Sequence, residues 1–128
     1  MILLDTSFLI DALSGSGRSA PLLRAAIERG YRIGVPTLVL YEWRRGPRTA
    51  RELAAQEALF PSEEAVVFGQ HEALLAAELY RQVKRPRSRE IDLAIAACAI
   101  TSEAELWTLN GDDFSDAPGL KVVNPQLS

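Results

Sequence analysis

Hydrophobic residues in this chain fall into two kinds of segment, short continuous runs and longer stretches with helical spacing. Continuous runs are typical of strands in a parallel sheet, because both faces of such a sheet are buried. The runs occupy residues 2–5, 32–35, 65–68, 106–109 and 120–123. Between them, hydrophobic residues recur every three or four positions, as in amphipathic helices. Strands that alternate with helices predict an α/β domain with a parallel sheet covered on both faces.

Capping and turn residues set the bounds of the predicted helices. The first runs from Thr6 to about Leu13, and the second has Pro21 in its first turn and ends near Gly30. The later helices are predicted from a Thr37 cap to the break at Gly46, from the capping box Thr49–Glu52 to about Phe60, from Gln70 to Val83, and, after a Ser88 cap, over Arg89–Thr101. The last of these is apolar nearly all round, so it should be buried.

The composition fits one folded domain over residues 1–128, since 48% of the residues are hydrophobic and can form a core. The single cysteine, Cys98, cannot form an internal disulfide, which fits a reducing compartment. The apolar start is interrupted by Asp5 and Asp11, unlike a signal peptide, and no stretch approaches the ~18 uncharged apolar residues of a membrane span. We expect a cytoplasmic protein with no membrane contact.

Four acidic residues stand near the ends of predicted elements. Asp5 closes the first strand, and Asp113 follows a later strand. Glu42 and Asp92 belong to two of the predicted helices. In open α/β sheets, ligands and metals bind in the crevice beyond the carboxyl ends of the strands. Carboxylates that meet there are suitable ligands for Mg²⁺ or Mn²⁺, so the pattern predicts a magnesium site.

Each acid also has an explanation that needs no metal. Asp92 could complement the positive N-terminal dipole of its helix, and Glu42 could face solvent. Asp113 could be a turn residue, since the segment 110–114 is rich in turn-forming residues. For any single acid the simpler explanation is preferred. The four together favour metal chemistry, in which bound cations activate water and stabilise the departing oxygen of a phosphodiester.

Charge and missing motifs narrow the function further. The net charge of −3 is unlike that of a typical nucleic-acid-binding domain, but cations cluster in a first basic segment (residues 44–51) and a second basic segment (residues 81–89). Both segments could hold a polyanion near the acids, or could be solvated surfaces. His71 is the only histidine, which excludes a ribonuclease with two catalytic histidines. The chain also lacks a Gly-rich phosphate loop and paired cysteines for zinc.

Four segments together resemble the PIN-domain ribonucleases, particularly the VapC toxins of bacterial and archaeal toxin–antitoxin pairs. They are Leu4–Ser7, Thr37–Gly46, Asp92–Ala99 and Thr108–Phe114, and Leu120–Pro125 is similar to the closing strand of the family. They occur in order over almost the whole chain and at the expected spacing, so the resemblance is specific although each motif alone is weak. It implies a three-layer α/β/α sandwich with a mainly parallel sheet, and endonucleolytic cleavage of RNA that depends on Mg²⁺ (or Mn²⁺).

The resemblance also assigns roles to the acids. Asp5, Glu42 and Asp92 match the acidic triad of the family, and Asp113 matches its fourth acidic position. All four would then be metal ligands and catalytic residues. Because Asp112 is adjacent to Asp113, the sequence leaves open which of the two points inward.

Supporting residues and partners follow from the same resemblance. Thr6 and Ser7 match hydroxyl positions that organise the site, and Thr108 and Asn110 would support it through hydrogen bonds. The family further implies an RNA substrate, a cognate antitoxin protein and a homodimer.

Two other functions remain open. A haloacid-dehalogenase-type phosphatase also places a nucleophilic Asp after its first strand, but it needs a second Asp where Ser7 stands here. A catalytically silent PIN-like module would keep the fold and lose the chemistry, which the presence of all four acids argues against.

Overall fold

A computed structural model describes residues 1–15 and 17–127. Four short strands form one sheet in the order β2-β1-β3-β4, and every neighbouring pair is parallel. The strands are β1 (Ile2–Leu4), β2 (Ile33–Gly34), β3 (Glu105–Trp107) and β4 (Lys121–Val123). The prediction of a parallel sheet is therefore confirmed.

Helices connect and cover these strands, as the alternating pattern predicted. They are α1 (Thr6–Leu13), α2 (Ala20–Glu28), α3 (Thr37–Arg45), α4 (Ala50–Leu59), α5 (Gln70–Gln82) and α6 (Glu90–Thr101). Helix α1 packs against α2, α3 and α4, while α6 packs against α3, α5 and β3. The result is the predicted α/β/α sandwich. In the described residues, no helix has the length and apolar character needed to cross a bilayer.

The core lies along β1 and α6. Leu3 and Leu4 of β1 have no exposed surface, and α6 is buried continuously from Leu93 to Ala99. This confirms that the helix with apolar residues all round is an interior helix. Burial also raises the pKa of the Cys98 thiol in the same helix to about 11, so this side chain behaves as an inert apolar group.

The strand order creates a switch point between β1 and β3. The chain passes from β1 to β2 on one side, and later returns to β3 on the other side of β1. The helices that follow such strands leave in opposite directions, and a crevice opens beyond the carboxyl ends of the two strands. Asp5 directly follows β1, and Thr108 directly follows β3.

The predicted strand at 65–68 was wrong. This segment makes only an isolated parallel bridge, between Val66 and Pro36. Val66 donates its N–H to the Val35 carbonyl (2.9 Å) and accepts the N–H of Thr37 (2.9 Å). Pro36 has no N–H to extend the ladder, and β2 is only two residues long, so pairing ends there.

Two predicted helix caps were also wrong. The residue before α3 is Pro36, and the Thr37 hydroxyl instead accepts the backbone N–H of Phe68 at 3.3 Å. Ser88 has a φ of 67° and makes no side-chain cap, since Arg89 immediately precedes α6. The capping box at the start of α4 was correct, because the Thr49 hydroxyl accepts the Glu52 N–H at 3.1 Å.

Candidate active site

Asp5 is held in one orientation at the carboxyl end of β1. It is the N-cap of α1, and its Oδ1 accepts the N–H of Phe8 (3.0 Å) and the hydroxyl of Ser7 (2.7 Å). Its Oδ2 accepts the Thr108 hydroxyl at 2.5 Å. Only 4% of Asp5 is exposed, so these donors offset the loss of hydration that would otherwise make a buried carboxylate costly.

Thr108 and Ser7 form the link between the two central strands. Their hydroxyls lie 3.3 Å apart, and Ser7 accepts the backbone N–H of Leu109 at 3.1 Å. Thr108, which is completely buried, accepts the backbone N–H of Asn110 at 3.0 Å. The hydrogen bond predicted for Asn110 is thus made by its backbone, and its residue as a whole is exposed. Nothing in the sequence distinguishes a backbone donor from a side-chain donor here.

Glu42 points toward the same crevice from α3. Its Oε1 accepts the Thr6 hydroxyl at 2.5 Å, and its Oε2 lies 3.5 Å from Arg45 Nη2. Only 20% of the Glu42 side chain is exposed, so the alternative of a solvent-facing glutamate does not hold. The Thr6 hydroxyl therefore joins the start of α1, next to Asp5, to the middle of α3.

Asp92 lies half-buried in the first turn of α6. Its pKa is raised to about 6, first by burial and then by the charges of Asp113, Asp5 and Glu42. The Arg89 guanidinium acts in the opposite direction. Because like charges raise a carboxyl pKa only over short distances, the structure brings all four predicted acids into one electrostatic neighbourhood. In residues 1–15 and 17–127, no hydrogen bond to Asp92 offsets this repulsion.

The adjacent acids Asp112 and Asp113 differ in their contribution to the pKa of Asp92. Both lie in the short 3₁₀ turn Gly111–Asp113, and both are exposed. The charge of Asp113 is the largest contribution to the raised pKa of Asp92 after burial, and Asp112 is not among the main causes. This favours Asp113 as the candidate for the fourth acid of the site.

The donor set fits Mg²⁺ or Mn²⁺, which prefer carboxylate oxygens. Within the described part of the chain, however, no three His, Cys, Asp or Glu side chains are grouped tightly enough to hold a cation as they stand. Repulsion between carboxylates opposes a closer approach, and the hydroxyl donors already engage both oxygens of Asp5. The chemistry of the donors and the raised pKa of Asp92 fit a site that a cation would draw together.

The two basic segments differ in how many of their cations are already engaged. In the first, Arg44 pairs with Glu57 (3.3 Å), Arg45 lies beside Glu42, and the Arg48 guanidinium lies 4.4 Å from the centre of the Trp43 ring. These contacts favour a structural role for the first segment.

In the second basic segment, Lys84, Arg85 and Arg87 are exposed, and none has an ion pair within the described residues. Arg89 differs from them, since it pairs with Asp116 at 2.6 Å. Asp116 was missed in the sequence, because a pair separated by 27 positions leaves no local signal. His71 is exposed at the start of α5, as predicted for a surface helix residue.

Fold and crevice together define an α/β domain of the acidic, nuclease-like class. The profile of the PIN domain family matches residues 2–120, and the chain belongs to this family. Over 123 residues it is 33% identical to Ribonuclease VapC19 of Mycobacterium tuberculosis, a match that covers 94% of this chain and 98% of the relative.

Solved structures share the fold over nearly the whole chain. A toxin–antitoxin complex from Klebsiella pneumoniae contains a chain that is 26% identical, with a TM-score of 0.73 and 98% of both chains covered. VapBC2 from Rickettsia felis, bound to a DNA fragment from its promoter, matches with 22% identity and a TM-score of 0.73, covering 97% of this chain and 98% of the other.

Proposed function

We propose that this protein is a metal-dependent endoribonuclease, the toxin of a type II toxin–antitoxin system, with Asp5, Glu42, Asp92 and Asp113 as catalytic metal ligands. The observation that carries the proposal is the raised pKa of Asp92, whose causes include the other three acids. These acids, separated by as many as 108 positions in the chain, would share one crevice at the switch point of the sheet. Membership of the PIN domain family and the ribonuclease name of the 33% identical relative support it.

The chemistry divides between the acids and their hydroxyl partners. A divalent cation held by the acids would supply a bound water of lowered pKa and offset the charge of the scissile phosphate. Thr108 and Ser7 orient the Asp5 carboxylate, and Thr6 orients that of Glu42. These hydroxyls keep the acids in place before substrate arrives, so less reorganisation is needed when the reaction begins.

Substrate binding is assigned to the second basic segment. Lys84, Arg85 and Arg87 are exposed in the loop that leads into α6, five to eight positions before the acid Asp92. Cations placed there would hold phosphates on either side of the cleaved bond, with an affinity that falls as salt rises. Because phosphate contacts carry no sequence information, the choice of RNA would depend on its shape or on unstacked bases.

A protein partner belongs to the same proposal. A ribonuclease with an open acidic crevice endangers its host in the cytoplasm, so we expect a cognate antitoxin that covers the crevice. The complex from Klebsiella pneumoniae, in which the similar chain is part of a toxin–antitoxin assembly, supports this. We also propose a homodimer, as the family resemblance implies.

The test of the activity is cleavage of total RNA by purified protein in Mg²⁺ or Mn²⁺ and in excess EDTA. We expect cleavage only with metal, and products with 5′-phosphate and 3′-hydroxyl ends, because water attacks rather than the ribose 2′-hydroxyl. Cyclic-phosphate ends, or undiminished cleavage in EDTA, would contradict the proposal. A phosphatase would hydrolyse only monoesters, and a silent module would hydrolyse neither substrate.

The toxin role is tested in cells. Expression of the chain alone should arrest growth, and co-expression with a small partner encoded next to it should restore growth. The matched control is the Asp92→Asn variant, which should be expressed equally well and be harmless. If the parent protein is soluble and leaves growth unchanged, the toxin role is wrong, whether or not RNA is cleaved in vitro.

A further inference from the structure

The guanidinium of Arg89 is held by several contacts that converge behind the candidate site. It binds both carboxylate oxygens of Asp116, at 2.6 Å and 3.2 Å. It also donates to the backbone carbonyls of Asp113 and Lys84, each at 2.8 Å. Only 18% of the Arg89 side chain is exposed, and its Nε is buried without a hydrogen-bond partner in the described residues. A guanidinium whose two terminal nitrogens make this many hydrogen bonds is held in one orientation.

The backbone of Arg89 belongs to a different part of the site. Arg89 immediately precedes α6, and its carbonyl accepts the N–H of Leu93 at 2.9 Å, which forms the first turn of the helix. Asp92 lies within that turn. One residue therefore starts the helix that carries Asp92, while its side chain binds the backbone of Asp113.

Asp116 completes the connection from the other side. Its carboxylate accepts two hydrogen bonds from the Arg89 guanidinium, and it also accepts the backbone N–H of Lys84 at 3.3 Å. The loop between Lys84 and Arg89 contains two residues with positive φ, Arg85 (51°) and Ser88 (67°). Such backbone is unfavourable for residues other than glycine, so the contacts at both ends of the loop are needed to maintain its shape.

We propose that Arg89 and Asp116 are positioning residues, which set the separation of the acids Asp92 and Asp113 and hold the loop 84–88 beside them. The inference rests on the proposed function, since it concerns the same cation site. It also gives Arg89 a different role from the other cations of the second basic segment. Lys84, Arg85 and Arg87 face solvent and can meet phosphate, whereas the guanidinium of Arg89 is already bound by protein.

Charge and position make different predictions for substitutions of Arg89, and the same prediction for Asp116→Asn. If Arg89 acted only through its charge, its removal as Arg89→Gln would tighten cation binding, Asp116→Asn would weaken it, and Arg89→Lys would have no effect. If the two residues position the acids, all three substitutions should weaken binding. Partners behind metal ligands typically contribute tenfold or more to metal affinity, so we expect a loss of about tenfold for each variant.

The experiment is a titration of each purified protein with Mn²⁺, in which electron paramagnetic resonance measures the free ion. Arg87→Gln is the matched control, because it removes one cation from the same loop without touching the Asp116 contact. It should bind Mn²⁺ as tightly as the parent or slightly more tightly. Thermal melts in EDTA show whether each variant is folded, and Arg89→Lys, the mildest change, carries the conclusion if the others unfold.

The outcomes are distinct. Weaker Mn²⁺ binding in folded Arg89→Lys and Asp116→Asn, with Arg87→Gln unaffected, supports positioning. Parent-like binding in Arg89→Lys, or tighter binding in Arg89→Gln, overturns the inference and leaves the proposed function intact. A parent protein that binds no Mn²⁺ overturns both, because there is then no cation site to position.

Discussion

The candidate site has two halves that are built in different ways. On one side, Asp5 is buried at the carboxyl end of β1 and accepts hydrogen bonds from two hydroxyls and one backbone N–H. On the other side, Asp92 and Asp113 stand at the start of α6 and in a surface turn, where like charges face each other. The first half is satisfied by the protein itself. Within residues 1–15 and 17–127, the acids of the second half have no comparable donors, so a cation would stabilise this half most.

The difference shows in the causes of the two raised carboxyl pKa values. The pKa of Asp5 is raised mainly by burial, and its hydrogen bonds lower it again, with Glu42 adding a small repulsion. The pKa of Asp92 is raised by burial and by three neighbouring acids, and only Arg89 opposes them. In the proposed function, the first half would hold one ligand in a fixed orientation and the second half would be stabilised by a bound cation, which suits the binding of metal and substrate together.

The largest expected effect is on activity, and it should be the same in both halves. Asp5→Asn and Asp92→Asn should each lower the rate of RNA cleavage by ~10³-fold, which corresponds to a barrier about 4 kcal/mol higher when a metal ligand is lost. The measurement is the initial rate on an RNA that the parent protein cuts. Asp112→Asn is the matched control, since its carboxylate is exposed next to Asp113 and is not among the main causes of the raised pKa of Asp92. A near-parental rate in Asp92→Asn would remove Asp92 from the proposed catalytic ligands.

Stability should then separate the halves, beginning with the hydroxyl that serves Asp5. Thr108→Val keeps the shape of a fully buried side chain but removes the donor to Asp5 Oδ2 and the acceptor for the Asn110 N–H. Leaving buried polar groups unsatisfied should cost about 1–3 kcal/mol of unfolding free energy, and lower the melting temperature by several degrees. Thr101→Val is the control, because that hydroxyl bonds carbonyls of its own helix and the Glu72 carboxylate, and has no contact with Asp5 in the described residues. Equal melting of the two variants would mean that Asp5 does not depend on Thr108.

Substitution of Asp92 should have the opposite effect and increase the stability of the protein. A carboxyl whose folded pKa is raised favours folding below its unfolded pKa of 3.8, and this contribution is lost as pH rises through about 6. At pH 7.5 in EDTA, Asp92→Asn should therefore be more stable than the parent. A shift of two units is about 3 kcal/mol, which solvent screening of a half-buried group reduces to about 1–2 kcal/mol.

Paired melts across pH test this directly. The advantage of Asp92→Asn should shrink as pH falls from 7.5 through 6 to 4, since the parent carboxyl is then protonated. Added Mn²⁺ should raise the melting temperature of the parent more than that of the variant, by mass-action linkage. If Asp92 only complemented the helix dipole, the variant would instead be slightly less stable in EDTA, and metal would change neither protein.

The smallest effect is expected between the halves, at Thr6. Thr6→Val removes the hydroxyl that orients Glu42, but this carboxylate keeps Arg45 and partial contact with solvent. We expect a loss below about 1 kcal/mol in stability and a few-fold weaker Mn²⁺ binding. Thr6→Ser should restore both, because it keeps the hydroxyl. An unrescued Thr6→Ser would indicate that the methyl group, rather than the hydrogen bond, matters at this position.

Much of the fold could be predicted because local signals agreed with the tertiary structure. The apolar run 2–5 and the fully apolar helix carrying Asp92 are both buried, as their patterns required. The segment 65–68 misled because its residues favour strands, yet Pro36 ends the ladder it would join. The caps predicted at Thr37 and Ser88 were wrong because a hydroxyl near the start of a helix can make other hydrogen bonds. The Thr37 hydroxyl, for example, accepts the N–H of Phe68.

The acids of the candidate site could be proposed from the sequence, whereas most of the contacts that hold them could not. Asp5 and Asp92 stand out because a charge beside long apolar stretches needs an explanation. Glu42 and Asp113, whose local context is ambiguous, were candidates only together with the other two acids, and the resemblance to a family assigned all four their roles. Neither source indicates the pairing of Arg89 with Asp116, or that the first basic segment is largely engaged by its own neighbours. Such contacts depend on distances that only the folded chain provides.

The bond between Asp5 and Thr108 joins residues 103 positions apart, and this has a consequence for synthesis on the ribosome. At about 5–20 residues per second, translation takes roughly 5–20 s to pass from one residue to the other. Until then β1 lacks its central neighbour β3, and Asp5 lacks its donor. A nascent chain, or a fragment truncated anywhere in that interval, therefore carries no assembled crevice. In a cell, the activity of this protein would therefore appear only after nearly the whole chain had been translated.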